Sequence, residues 1–275
     1  LKKLKVYIPG IKFPSISVTG EYCYLNCAHC GRHYLKGMLK VTRKSLLERC
    51  MEMEKEGYTG CLLSGGMDSR LKVPLDKFKD EIKAIKEKTK LKINAHVGFV
   101  DESDLEWLKY IDVVSLDFVG DNEVIKRVYK IDKKVEDYLR VLDLLTENGI
   151  RVAPHITIGL DFGKVHWEFK AIDILVNYPI DVLVLDVLIP TPGTEMANVP
   201  KVPVDEAIRV VKYAREKFSG ELSIGCMRPF GEWRVKFDRE AILAGVDRIT
   251  NPPRKIIEWA KKIRDVEIIY ECCVM

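Results

Sequence analysis

No apolar run in the 275-residue sequence approaches the length of a membrane span. The opening "LKKLKVYIPG" lacks the hydrophobic centre of a signal peptide, so a cytoplasmic, non-membrane protein is expected. Neither sign of charge dominates: 45 basic residues against 41 acidic leave a net charge of +4, too little for a nucleic-acid footprint. The basic helical stretches carry no interleaved aromatics on which bases could stack, so no nucleic-acid partner is expected. No Pro/Gly-rich linker, low-complexity tract or internal repeat divides the chain. What remains is 47% hydrophobic and 31% charged, the composition of a globular chain with a sizeable core.

Short runs rich in Val, Ile and Leu alternate with longer amphipathic segments. Strands are predicted at 15–20, 60–66, 92–98, 113–120, 151–159, 182–190, 222–229 and 247–251. Helices are predicted near 43–57, 75–88, 102–110, 133–149, 164–177, 204–218, 232–244 and 253–264. Strand–helix alternation means parallel strands joined by crossover helices, and eight rounds of it predict a (β/α)8 TIM-type barrel. A doubly wound open sheet is the competing architecture. The barrel takes residues 1–265, and 266–275 form a tail with a cysteine pair.

Eight cysteines are present, and a reducing compartment argues against disulfides. Cys50 shares a helical face with Leu46, Leu47 and Met53, and Cys61 opens a strand; both read as small buried hydrophobes. Cys23, Cys27 and Cys30 differ. In "GEYCYLNCAHCGRHYL" they are spaced C-x3-C-x2-C in the loop after the first predicted strand, on the barrel face where active sites are built. A structural zinc site wants a fourth ligand, for which only His29 and His33 are near. An iron–sulfur cluster held by three thiolates instead leaves one iron open to a small molecule.

"CYLNCAHC" resembles the signature of the radical S-adenosylmethionine (SAM) superfamily in spacing and in placement. His29 stands where that family has an aromatic residue. The resemblance implies a [4Fe-4S] cluster on Cys23, Cys27 and Cys30, with SAM chelating the open iron. An electron from the cluster then cleaves SAM to methionine and a 5′-deoxyadenosyl radical, which abstracts hydrogen from an unactivated carbon. Other strand ends carry the likeness further. "SGGMD" resembles the glycine-rich motif that holds the methionine amino group, placing Ser64, Gly65 and Gly66 there, with Met67 where an acidic residue is usual. Ser115 and Asp117 match ribose-contacting positions of the biotin synthase branch. "HITIG", with Thr157, resembles the adenine-side motif, and "IPTPGT" the sixth-strand loop.

Cys226 in "SIGCMRP" ends the seventh predicted strand on the same face, where biotin synthase has an arginine ligand to a second, sulfur-donating cluster. The cysteines that complete that cluster are absent; Leu62, Asn94 and Ala153 lie near their places. An extended 266–273 climbs roughly 25 Å at about 3.3 Å per residue, enough to bring Cys272 and Cys273 beside Cys226 as replacement ligands for an auxiliary iron–sulfur cluster. Successive strand side chains point oppositely, so this needs a bend or only one ligand of the pair. The landmarks "SVTGEYCYLNCAHCGRHYLKGM", "VAPHITIGLDFG", "GCMRP" and "GVDRITNPP" resemble the archaeal group of biotin-synthase-like proteins, which includes a component of a two-protein lipoyl synthase. That resemblance implies sulfur insertion into a protein-bound octanoyl chain, a second radical SAM subunit, a lipoyl-acceptor carrier protein and a ferredoxin-type electron donor. Two rivals stay open: a methylornithine-synthase-like mutase without sulfur chemistry, and a zinc-stabilised binding module. His96, His155, Arg70 and Arg228 near strand ends are further candidates for the pocket, the arginines as carboxylate ligands.

Overall fold

All eight predicted strands form in the computed structural model, which describes residues 2–275. They are β2 (Ser15–Ser17), β4 (Gly60–Ser64), β5 (Lys92–His96), β6 (Val113–Asp117), β7 (Val152–Ile158), β8 (Val182–Val187), β9 (Glu221–Ile224) and β10 (Arg248–Thr250). Three more join them: β1 (Leu4–Tyr7), β3 (Leu39–Lys40) and β11 (Val266–Ile269). The sheet order is β11-β1-β10-β9-β8-β7-β6-β5-β4-β2-β3, and every ladder in it is parallel.

The expected α/β TIM-type barrel is borne out as a partial barrel, its eight expected strands joined by three more among the described residues. Among the described residues no ladder joins β11 or β1 to β2 or β3. The chain between β1 and β2 contains Pro9 and Pro14, which have no N–H to give a ladder. Segments bridge the gap instead: Thr59 N donates to Lys12 O at 2.9 Å, and Thr59 Oγ1 to Tyr270 O at 2.9 Å.

The helices lie where the apolar spacing predicts. Val135–Glu147 buries Val135, Tyr138, Val141, Leu142 and Leu145, one stripe at helical spacing. Val204–Lys217 has Asp205 and Glu206 in its first turn and Arg215 and Lys217 in its last, complementing the helix dipole. Thr42 caps Arg43–Lys55 reciprocally with Ser45. Each fully buried Leu, Ile or Val in the layer between helices and sheet contributes roughly 1.5–3 kcal/mol.

Strand alternation points the other residues into the lumen. Its lower layer is apolar: Val113, Ala153, Val182 and Val184 pack on Tyr7, Cys273 and Val274. The segment expected as a separate tail is therefore part of the fold. After β11 it turns under the sheet, with Lys92 Nζ 2.9 Å from Glu271 Oε1, and Arg248 Nη1 donating to Cys273 O at 2.7 Å and Met275 O at 2.8 Å. Those partners begin their strands, so residues 270–275 fill the N-terminal mouth of the barrel. They do not climb to its reactive rim.

Candidate active site

The cysteine loop is wound on its own backbone. Cys30 N and Gly31 N donate to Cys27 O at 3.2 and 3.1 Å, and His33 N donates to Cys30 O at 2.7 Å. Gly31 and Arg32 take positive φ, of 47° and 65°, to complete the turn. Cys27 is buried, and Cys23 and Cys30 are half-buried. The Cys27 thiol donates to Cys30; that bond, then burial, pushes Cys27 up, and the same bond brings Cys30 down to about 7 against its own burial.

The glycine motif packs directly against this loop. Gly66 N donates to Thr19 Oγ1 at 2.7 Å, Thr19 Oγ1 donates to Tyr22 O at 2.8 Å, and Tyr24 N donates to Met67 O at 2.7 Å. A Cβ on Gly66 would stand 2.0 Å from Tyr22 O and 2.5 Å from Cys23 Cα. The missing side chain at 66 thus serves the approach of two backbones. Gly65 presses on Thr19, where a Cβ would meet Oγ1 at 2.9 Å.

Beside the loop lies a cavity of about 90 Å³ lined by Ser64, Gly65, Met67, His96, Ser115, Asp117, Tyr129 and Tyr138 among others. It gathers most of the predicted binding residues. Asp117 is exposed to it and has no hydrogen-bond partner among the described residues, as a group awaiting hydroxyls would be. Ser115 Oγ, by contrast, donates to Asn94 Oδ1 at 2.9 Å, and Asn94 Nδ2 reaches Cys272 Sγ at 3.3 Å. His29 is half-buried, edge-on to Tyr129 with ring centroids 5.4 Å apart. Its Nδ1 is sealed from solvent without a partner, and enclosure lowers the ring to about 4. Thr157 lies outside this lining; it faces the lumen beside Asp186 in the β7–β8 register.

Loop and cavity fit a cluster with a chelating ligand: a soft three-thiol donor set, a glycine backbone against it, and free polar groups alongside. His33, the fourth ligand of a zinc knuckle, is exposed. Among the described residues no three His, Cys, Asp or Glu converge closely enough to hold one metal ion.

Two arginine assignments are overturned. Arg228 is fully buried and bonds Asp238 through both Nε (2.6 Å) and Nη2 (2.9 Å). Arg70 is taken by Asp68 and Asp76, at 2.7 and 2.9 Å. Neither is free for a carboxylate ligand. Cys50 and Cys61 are buried and hydrogen-bonded to each other, as small core residues. His96 and His155 face each other across the lumen at 6.0 Å, and burial lowers His155 to about 4.

Three further thiols come within electrostatic reach of one another. Cys226 lies two residues past the C-terminal end of β9 and is exposed, yet surrounding protein, then Asp186, pushes its thiol up to about 12. Cys272 and Cys273 lie on a turn that lets their thiols hydrogen-bond, which resolves the opposite-facing problem. Cys272 is pushed up. Cys273 falls to about 6, chiefly through Cys272, with the buried hydroxyls of Thr250 and Ser223 close by. Asp186 escaped the sequence reading; its signal is a lone carboxyl in the apolar strand "VLVLDV".

Among solved structures, methylornithine synthase superposes with a TM-score of 0.66 at 15% identity, covering 92% of this chain and 73% of that one. HydG, a maturase of the [FeFe]-hydrogenase, gives 0.64 at 17%, covering 90% and 57%. Streptococcus suis SuiB bound to S-adenosylmethionine gives 0.59 at 14%, covering 90% and 58%. The chain thus spans less than two thirds of the latter two, and at these identities the likeness is one of fold. No curated protein sequence matches. The Radical SAM superfamily model matches residues 17–166, from β2 through the cysteine loop, the glycine motif and β7. With more than half of its length so matched, the chain belongs to the Radical SAM superfamily.

Proposed function

We propose that this enzyme inserts sulfur at unactivated carbon, as one component of a lipoyl synthase acting on a protein-bound octanoyl chain. Membership of the superfamily implies a [4Fe-4S] cluster and SAM, which when bound supply a 5′-deoxyadenosyl radical. Cys23, Cys27 and Cys30 would hold the cluster. Ser64, Gly65 and Gly66 would meet the methionine end of SAM, Asp117 and Ser115 its ribose, and His29 and Thr157 its adenine side. The observation that supports the sulfur reading is that Cys226 lies within electrostatic range of the Cys272–Cys273 pair, three thiols that would have to draw together on an auxiliary iron–sulfur cluster. The partners are a second radical SAM subunit, the lipoyl-acceptor carrier protein and a ferredoxin-type electron donor.

A second reading, radical rearrangement of an amino-acid-like substrate, is favoured by the polar lining of the upper lumen: Asn94, His96, Ser115, Asp117 and His155. The test is anaerobic reconstitution followed by incubation with SAM, reductant, an octanoylated peptide and a partner subunit. About eight irons per chain, about four after Cys226, Cys272 and Cys273 are replaced by alanine, and a thiolated product are expected. Four irons in both proteins, with deoxyadenosine but no thiolation, would remove sulfur insertion and favour rearrangement.

A further inference from the structure

We propose that Asp186 is the residue that recognises the substrate, by accepting a hydrogen bond from a nitrogen-bound hydrogen in the lumen. Asp186 shares a face of β8 with Val182 and Val184, which pack in the lumen, so its carboxyl enters the same chamber one layer higher. It is fixed there. Met227 N donates to Oδ1 at 2.8 Å, and Gly225 lies so close that a Cβ would stand 2.3 Å from the same oxygen. Oδ2 has no partner among the described residues and is not sealed from solvent.

The position is between the two thiol sets. Tyr34, on the cysteine loop, lies within electrostatic range of Cys30, Cys226 and Asp186. Asp186 is bonded to the backbone next to Cys226, so a molecule lying between the loop and Cys226 has its carboxyl close by. Among the described residues no cation forms a hydrogen bond or ion pair with its carboxyl. Lys5 and Arg248 both engage Glu221 at the bottom, and Arg248 also holds the carbonyls of residues 273 and 275. Arg228 is committed to Asp238 and to Gly225 O. A buried carboxyl with one oxygen free and no cation bonded to it, pushed up to about 8 chiefly by that burial, favours a ligand that brings an N–H to it. Two sources share that chemistry: the amide N–H of an acylated lysine and the ammonium of a free amine. The inference rests on the lumen being the substrate chamber, and holds whether sulfur insertion or rearrangement follows.

Asp186→Asn tests it sharply. Met227 N–H needs an oxygen opposite it, so the asparagine amide must turn its NH₂ toward the lumen, replacing a carboxyl that can give up its proton to a bound N–H with a permanent donor while keeping the backbone bond. Binding of an octanoyl-lysyl peptide and of L-lysinamide is measured by calorimetry on reconstituted, SAM-loaded protein. At least one probe binds the natural sequence, and the substitution weakens it about 30-fold, with iron content and SAM affinity unchanged. A peptide with an ester oxygen in place of the amide N–H loses as much against the unmodified protein, which tests the amide arm without any variant. Loss confined to lysinamide, with the octanoyl peptide never bound, would keep the inference and remove the lipoyl reading. Binding indifferent to the substitution, or no binding of either probe, would overturn the inference.

Discussion

Replacing Gly66 by alanine places a methyl 2.0 Å from Tyr22 O and 2.5 Å from Cys23 Cα and Cβ, where ordinary contact begins at 3.4 Å. The neighbouring atoms are backbone and Cβ, with no flexible side-chain end to swing away, so the glycine strand end and the cysteine loop must part by more than an ångström. Doing so strains the bonds from Gly66 N to Thr19 Oγ1 and from Thr19 Oγ1 to Tyr22 O. Overpacking of a core costs about 1–3 kcal/mol, and a collision between backbones belongs at the upper end. For a domain of this size that is a fall of roughly 5–10 °C in melting temperature. The more specific consequence is chemical: Cys23 moves away from Cys27 and Cys30. Differential scanning calorimetry and iron content after anaerobic reconstitution read the two effects. Gly10→Ala is the control, because nothing lies within 4 Å of a Cβ there. If Gly66→Ala held as much iron as the natural sequence and melted within a degree of it, the packing argument for the loop would be wrong.

Serine in place of Cys23, Cys27 or Cys30 is expected to abolish deoxyadenosine formation and remove about four irons, read by chromatography and iron assay. Arg228→Met leaves Asp238 buried without its partner and should cost about 3–5 kcal/mol in urea unfolding; unchanged stability with weakened SAM binding would restore Arg228 as a ligand. The Lys72 ammonium, then Ser103, draw Asp101 down to about 2, so its contribution is present above pH 4 and lost as pH falls toward 2. With the carboxyl half-exposed, the shift discounts to about 1 kcal/mol, and Asp101→Asn should lower the urea midpoint at pH 7 and leave it unmoved at pH 2. Arg248→Met removes the bonds to the carbonyls of residues 273 and 275, and amide exchange across 270–275 should quicken about tenfold.

The cysteine loop and the order of eight strands were legible because both are local: a spacing of three thiols, and apolar runs of strand length bounded by turn residues. β1 and β3 were not, since "LKVY" and "LK" are too short to show a period and are strands only through their neighbours. The extended form of 266–269 was legible, but its path afterward depends on Thr59, Lys92 and Arg248, which belong to other strands. Arg228 looked available because its partner comes ten residues later, on the helix Glu232–Leu243. Asp186 carries no motif, and its interest arises from which side of a curved sheet it occupies.

A vessel stoppered at its foot takes nothing in from below. With residues 270–275 set into the N-terminal mouth of the barrel, whatever settles beside Asp186 comes and goes by another way than between the strand beginnings.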